Sequence, residues 1–252
     1  MKKSYKKSYR RKPVIPFYKK SFFWKSLGLI ITSVILFYVL VFYEFFWVKD
    51  IEVLGNDSIE KELILDSVNN SINFRSIFLI KTAVISDNVL SQFPEIYLAS
   101  VSRDFPDKLI VSVKERHAIA IWCNGNLENC FYVDKEGFLF KDTDSKNLVV
   151  ISSNSNFGLN DTVIESEKLL ALNELWQEVR ELGIYWFELN GSDIVAHTTN
   201  GFVIKFISSE DLISQAKILK LTLDSEISKE DFKNLEYIDV RFENRAYFKL
   251  ND

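Results

Sequence analysis

Residues that could perform catalysis or bind a metal are few and scattered along this sequence. The two histidines, His117 and His197, are 80 positions apart, and neither has a cysteine or histidine at metal-ligand spacing. No serine or cysteine stands in a pattern that would make it the nucleophile of a hydrolytic triad. The eight glycines form no phosphate-binding loop, and acidic pairs such as Asp142 and Asp144 are typical of solvated loops. We therefore predict a protein with no enzymatic activity, metal site, cofactor or small-molecule substrate.

The two cysteines, Cys123 and Cys130, flank a short polar segment between two predicted strands. A hairpin would place them opposite each other, and an oxidising compartment would permit a disulfide. The alternative is two free thiols, whereas a zinc site would need more ligands than this segment provides. A disulfide closing the hairpin loop is the prediction.

Charge is distributed very unevenly along the 252 residues. Residues 1–25 hold ten Lys and Arg residues and no acid, which leaves 21 basic against 35 acidic residues in the rest of the chain. A hydrophobic content of 47% excludes a disordered or collagen-like chain, and eight glycines with four prolines leave no room for a flexible linker. The length allows two abutting modules, each with its own core.

An apolar segment separates the basic tail from the acidic remainder. Leu27–Trp47 contains Glu44 as its only charged residue. As a helix with a rise of about 1.5 Å per residue it would be about 31 Å long, which matches the hydrocarbon core of a bilayer. Phe22–Trp24 and Phe45–Trp47 flank it where aromatic rings favour the two interfaces. We predict a transmembrane helix at residues 26–47, because a cleaved signal peptide would have a shorter apolar region.

The distribution of charge also predicts the orientation in the membrane. The positive-inside rule places residues 1–25 in the cytoplasm and residues 48–252 on the other side of the cytoplasmic membrane. The basic tail cannot bury a core, and we expect it to lie along anionic lipid. Such a basic run is also typical of nucleic-acid binding, but the adjoining span already accounts for its charge. No nucleic-acid partner is therefore expected.

Residues 48–115 are predicted to form a small module with the order strand, helix, helix, strand, strand. The segments are a strand at Val48–Leu54, helices at about 59–68 and Thr82–Phe93, and alternating strands at 97–101 and 109–113. Asp57 followed by Glu60 is typical of a capping box, which predicts a first helix with Ile59, Leu63 and Ile64 on its buried face. Pro94 ends the second helix.

Residues 116–252 are predicted to form a β-rich module with two packing helices, which makes the whole fold class α+β. The predicted strands are Ala118–Trp122, Phe131–Asp134, Gly137–Phe140, Val149–Ser152, Tyr185–Leu189, Asp193–Thr198, Gly201–Ile207, Tyr237–Phe242 and Ala246–Lys249. The predicted helices are Glu165–Leu182, ended by Gly183, and Glu210–Asp224.

Several local patterns match one known family. Val53-Leu54-Gly55-Asn56 ends the strand after the membrane segment, and Phe93-Pro94 precedes the next strand. The segment Ala99–Arg116 contains two strands with alternating apolar residues, which are separated by Arg103 and Phe105-Pro106, and it ends in Glu115-Arg116. The second module contains Asp134-x-x-Gly137 and Ile238-Asp239-Val240-Arg241. The chain thus resembles the bacterial cell division proteins FtsQ and DivIB, which implies a POTRA domain followed by a β domain.

The resemblance implies partners and a site for them. It implies docking of the small bitopic division proteins FtsB (DivIC) and FtsL on the strand after the Asp-x-Arg motif and on the preceding helix. The implicated residues are Arg241, Phe242, Asn244, Arg245, Ala246 and Tyr247, with Lys217 on the last helix as a further candidate. The residues themselves indicate an edge strand with aromatic and arginine side chains. The alternative is that Phe242 and Phe248 face the core while both arginines are solvated.

We therefore predict a bitopic membrane scaffold that binds these partners at the division site during septum formation. One alternative is a membrane-anchored envelope enzyme or its inhibitor, which would need a polar pocket with convergent titratable groups. Another is a POTRA-bearing chaperone for exported polypeptides, which would carry several POTRA repeats or a barrel. The sequence contains none of these features.

Overall fold

The computed structural model describes residues 16–125, 127–145, 147–209, 211–227 and 231–251. It confirms the predicted α+β class, since an N-terminal helix is followed by a three-stranded sheet and a nine-stranded sheet, each packed against two helices. The predicted lipid-binding tail falls mostly on residues 1–15, which lie outside the described residues.

Helix α1 (Ser21–Phe42) contains 22 residues, and within the described ranges it alone is long and apolar enough to cross a membrane. It begins and ends five residues earlier than the predicted span. The helix ends at Phe42 because the backbone that follows it is hydrogen-bonded to the next module. The Ile77 amide donates to the carbonyl of Phe46 and the Val48 amide donates to the carbonyl of Arg75, both at 2.9 Å. The last predicted residues of the span therefore form the junction.

The three-stranded sheet has the order β1–β3–β2, with β1 parallel and β2 antiparallel to the central strand. Its strands are β1 (Asp50–Leu54), β2 (Ile96–Asp104) and β3 (Lys108–Glu115), and its helices are α2 (Lys61–Ser71) and α3 (Thr82–Gln92). The element order is the predicted one. Alternate residues of β3, Leu109 and Val111, are fully buried against Ile64 and Val89 of the helices.

The predicted capping box at Asp57 is wrong. Helix α2 begins at Lys61, and the amides of Asp57, Ser58 and Ile59 donate instead to the buried carboxylate of Glu115 at 2.7–3.1 Å. Burial opposes the charge of Glu115, but the Ser58 hydroxyl and these amides outweigh it and lower its pKa to about 2. Leu63 is 49% exposed, so its predicted burial is wrong, and Ile59 precedes the helix.

The nine-stranded sheet has the order β12–β11–β10–β9–β8–β7–β4–β5–β6. Its strands are β4 (Ala120–Asn124), β5 (Cys130–Val133), β6 (Leu139–Asp142), β7 (Val150–Ser153), β8 (Ile184–Asn190), β9 (Asp193–Thr198), β10 (Val203–Ile207), β11 (Leu235–Phe242) and β12 (Arg245–Leu250). Two pairs of adjacent parallel strands are each connected by a helix. Helix α4 (Ser166–Val179) connects β7 to β8, and helix α5 (Leu212–Ser225) connects β10 to β11. Crossover helices of this kind lie over the strands that they connect.

Helix α4 lies within the predicted segment Glu165–Leu182, and its residues Leu169, Leu172, Leu175 and Val179 are fully buried in the core of this sheet. A 3-10 turn follows the helix and ends at Gly183, whose φ of +72° suits a residue without a Cβ atom. The predicted start of α5 at Glu210 lies outside the described residues. The helix is capped by Asp211, whose side chain accepts a hydrogen bond from the Ile213 amide.

Arg116 connects the two sheets. Its guanidinium forms a buried ion pair with Asp134, on the turn between β5 and β6, and lies 4.1 Å from the centre of the Phe138 ring. Its Nε atom donates to the carbonyl of Pro94, which precedes β2, at 3.1 Å. One side chain thus bonds to both modules at the point where the chain passes between them.

Candidate functional site

Strand β12 forms one edge of the nine-stranded sheet. In the part of the chain that the structure describes, it pairs with β11 alone, so its outer backbone groups have no strand partner. Tyr247, Phe248 and Leu250 are 50%, 37% and 40% exposed. Arg245 and Lys249 carry positive charges, and charged side chains on an edge strand hinder its pairing with the same strand of a second copy. A long, open strand with aromatic side chains is thus available to a different partner.

The turn between β11 and β12 positions these side chains. Phe242 lies directly opposite Arg245, so Glu243 and Asn244 form a two-residue loop. Asn244 has a φ of +56°, a conformation that asparagine tolerates better than most residues. The predicted site residues Asn244 and Arg245 therefore lie at the exposed tip of the hairpin.

The two faces of β12 differ. Phe248 lies opposite the fully buried Ile238, so it shares the face that is covered by α5. Ala246 packs against the core on the same face. Leu221 of α5 is 67% exposed and lies outside the buried stripe of the helix.

The opposite face carries an aromatic pair. Phe242 and Tyr247 make an edge-to-face contact with ring centroids 5.1 Å apart, and they are 48% and 50% exposed. The alternative that Phe242 faces the core is therefore wrong. Such half-exposed aromatic pairs are typical anchors of protein interfaces.

Arg241 is engaged within the module. Its guanidinium donates two hydrogen bonds to Asp239, at 2.9 and 2.7 Å, and one to Asp193 at 3.2 Å. The hydrogen bond to Asp239 raises the pKa of Arg241. Burial opposes the charge of Asp239, but the hydrogen bonds from Arg241 outweigh it and lower the pKa of that carboxyl. Arg241 thus holds β11 to the start of β9.

The structure does not group Lys217 with the edge strand. Lys217 is exposed on α5, and its charge reaches Glu178 of α4. The pKa of Glu178 is lowered mainly by its hydrogen bond with Lys220 and to a smaller degree by Lys217. Both lysines therefore lie towards α4, whereas β12 lies on the other flank of α5.

The residues considered for catalysis lie apart from one another. His197 stacks on Trp186 with ring centroids 3.9 Å apart, and its Nε2 atom lies 3.2 Å from a carboxylate oxygen of Glu188. His117 is exposed next to Arg116. Over the described ranges, no three His, Cys, Asp or Glu side chains cluster in a way that could hold a metal ion.

The sulfur atoms of Cys123 and Cys130 are joined in a disulfide between directly paired residues of β4 and β5. Strand β4 is shifted by two residues relative to the prediction, and because it ends at Asn124 it includes Cys123, which lies opposite Cys130. A cavity of about 350 Å³ adjoins the disulfide, lined by residues that include Glu128 and Asp144.

Comparison with known proteins agrees with this architecture. Residues 46–116 match the family model described as the POTRA domain, FtsQ-type. The chain is 32% identical to the cell division protein DivIB of Clostridium tetani over 108 residues, which are 42% of this chain and 39% of that protein. It is 32% identical to the cell division protein FtsQ of Zymomonas mobilis over 121 residues, which span 37% of that protein. These two alignments thus cover well under half of either relative.

Other alignments extend over most of the chain. The cell division protein FtsQ of Chloroflexus aggregans is 25% identical over 232 residues, which are 88% of this chain and 80% of that protein. The cell division protein DivIB of Clostridium botulinum is 25% identical over 222 residues, 82% of each chain. Residues 46–116 thus form a POTRA domain of the FtsQ type, and most of the chain, including its β-rich C-terminal region, is similar to the bacterial cell division proteins FtsQ and DivIB.

Proposed function

We propose that this chain is a bitopic membrane scaffold of the division machinery that binds partners through its C-terminal edge. In this proposal residues 1–25 form a cytoplasmic tail, residues 26–47 include the membrane span and its junction, residues 48–115 form the POTRA domain and residues 116–252 form the partner-binding domain. The basic tail and the positive-inside rule support an extracytoplasmic C-terminal part. The FtsQ-type POTRA domain and the similarity to the cell division proteins FtsQ and DivIB support a position at the division site.

The open edge of β12 carries the proposal. A partner segment that adds a strand there would satisfy the outward-facing amides and carbonyls of about half of its residues, each hydrogen bond contributing about 1 kcal/mol. Strand addition thus explains why the edge is long and uncovered. The partners that we propose are bitopic proteins of the FtsB/DivIC and FtsL types.

Side chains on both faces of the edge would give this interaction its specificity. Phe242 and Tyr247 offer an exposed aromatic pair on one face. On the other face, Phe248 and Leu250 offer apolar surface beside α5. Arg241 would act by holding β11 in place, since its guanidinium is already bonded to two carboxylates.

Tethering would compensate for a small interface. Two proteins anchored in one bilayer meet at a higher effective concentration than two soluble proteins. A six-residue edge would therefore suffice for a functional complex without any catalytic step.

The test compares two matched tyrosines on the same sheet in the full-length protein. Tyr247→Glu changes the edge strand, whereas Tyr185→Glu changes an equally exposed side chain on β8, inside the sheet. Both variants and the wild type are reconstituted in vesicles with an FtsB/DivIC-type partner, and the partner's affinity is measured. We expect Tyr247→Glu to weaken binding by about tenfold or more, as for a typical anchor residue, and Tyr185→Glu to leave it unchanged.

Equal binding by both variants, with the fold intact by circular dichroism, would refute the edge as the docking site. Proline substitutions along β12 provide a second measurement. At positions whose amide faces outward, proline should preserve the fold and abolish the added strand. Retained binding at every outward-facing position would refute strand addition as the mode of docking.

A further inference from the structure

A continuous row of aromatic rings lies where α1 meets the three-stranded module. Phe45 contacts Phe46, Phe46 contacts Phe78 and Phe78 contacts Phe105, with ring centroids 5.2, 5.2 and 5.4 Å apart. Phe46 packs on the core of the module, but Phe45, Phe78 and Phe105 are 53%, 40% and 57% exposed. Contiguous exposed apolar surface of this kind marks a place of contact. We call these three exposed rings the junction patch.

The junction patch lies at the level of the last turn of α1. The hydroxyl of Ser76 donates to the carbonyl of Leu40 at 3.0 Å, and Trp47 forms a β-bridge with Ser76. Leu40 is two residues from the end of the helix, which corresponds to about 3 Å along the axis. The loop that carries Phe78 is thus fixed to the last turn of the apolar helix.

The second loop of the patch is fixed to the first. Arg103, near the end of β2, donates from Nε to the carbonyl of Ile77 at 2.9 Å and from its guanidinium to the carbonyl of Ile80 at 2.6 Å. These bonds tie the turn that carries Phe105 to the loop that carries Phe78. The patch therefore combines two tied loops at one end of the module with the segment Glu44–Phe46 that follows α1.

Two lysines beside the patch are paired with carboxylates. Lys49 lies 3.3 Å from Asp107, and Lys108 forms an ion pair with Glu52. The guanidinium of Arg75 lies over the ring of Trp47, 5.2 Å from its centre. Since these two lysines are already paired and the exposed carboxylate of Glu44 precedes Phe45, the surroundings of the patch do not favour anionic headgroups, and its rings are suited to apolar contact.

We propose that the junction patch lies in the interfacial layer of the outer leaflet and holds the POTRA domain down on the bilayer. This inference rests on the proposed membrane anchor. The headgroup layer on each side of the hydrocarbon core is about 5–7 Å thick. A surface bonded within about 3 Å of the helix end falls inside that layer, where aromatic side chains are favoured. The occupant is thus lipid, contacted through acyl chains rather than through headgroup charge.

The test uses the full-length protein with one added cysteine, which carries an environment-sensitive fluorophore. Phe105→Cys places the label in the patch. Leu54→Cys is the matched control, because Leu54 is 45% exposed at the opposite end of β1, about 13 Å further from the helix end. The proteins are reconstituted in vesicles of phosphatidylethanolamine and phosphatidylglycerol, some with a nitroxide near the headgroup end of the acyl chain.

We expect the label at position 105 to be quenched about threefold or more strongly than the label at position 54, with little change in high salt. Equal, weak quenching at both positions in protein that resists alkaline extraction would overturn the inference and leave the anchor intact. Protein released by alkaline extraction would overturn the anchor itself. A label at 105 that is shielded from water but not quenched by lipid would show a protein surface there, such as a second copy, and would also overturn the inference.

Discussion

Glu115 holds the loop before α2 through a set of bonds that a single substitution can remove. Its buried carboxylate accepts hydrogen bonds from the amides of Asp57, Ser58 and Ile59 and from the Ser58 hydroxyl. These bonds lower its pKa from 4.5 to about 2, against the opposing effect of burial. One pKa unit corresponds to about 1.4 kcal/mol, so the charged form contributes about 3 kcal/mol to the free energy of unfolding. We expect Glu115→Gln, which replaces an acceptor by a donor, to remove about that amount at pH 7.

The effect has a defined dependence on pH. Because the pKa of Glu115 is lower in the folded than in the unfolded chain, its stabilisation is fully present above about pH 4.5. It is lost as the pH falls towards about 2, where the wild-type carboxyl takes up a proton. The difference between wild type and Glu115→Gln should therefore shrink over this interval.

The assay must report on the three-stranded module separately. The full-length protein is unfolded by urea in detergent micelles and then labelled by pulsed hydrogen exchange at one fixed pH. The exchange of peptides from residues 48–115 gives the free energy of unfolding of the three-stranded module. Asp66→Asn is the matched control, since Asp66 is exposed in the middle of α2 and should change stability by less than about 0.5 kcal/mol. The reasoning would be refuted by a loss at pH 7 no larger than that of the control. A loss that stays constant down to pH 2 would refute the electrostatic explanation.

Two further predictions concern the nine-stranded module. Replacing Cys123 and Cys130 together by serine should lower its free energy of unfolding by about 2.5 kcal/mol under oxidising conditions, because the disulfide restricts the unfolded chain. Wild type and variant should unfold alike in dithiothreitol, and a difference that persists there would contradict this explanation. Gln215→Leu should cost about 2–4 kcal/mol in the same urea assay, since the buried Gln215 amide bonds both the amide and the carbonyl of Ile207 at 2.9 Å. A loss below about 1 kcal/mol would show that water replaces these bonds.

Local patterns predicted the elements whose ends are determined nearby. Strand β9 has the predicted bounds, Asp193–Thr198, because tight turns precede and follow it. Helix α3 ends one residue before its predicted end, Phe93, because Pro94 cannot continue a helix. In both cases the determining residues lie within a few positions of the boundary, where sequence reasoning can find them.

The errors arose where distant residues compete for a local bond. Asp57 does not cap α2, because Glu115, 58 positions further along, binds its amide. The helix α1 ends before Phe46 because Ile77 binds the Phe46 carbonyl. At the candidate site, the sequence predicted the last strand as an edge strand. The pairing of Arg241 with Asp193 could not be predicted, because these residues are 48 positions apart and only the order of the strands brings them together.

The bond network of Arg116 also sets a geometric requirement on any partner. Its guanidinium touches Pro94 of one module and Asp134 of the other, so the joint between them resists bending. In the proposed membrane arrangement, a stiff joint would keep the C-terminal edge at a constant height over the lipid surface. A partner anchored in the same bilayer would then need a stalk of matching length, and adding or deleting helical turns in that stalk would move its docking segment past β12.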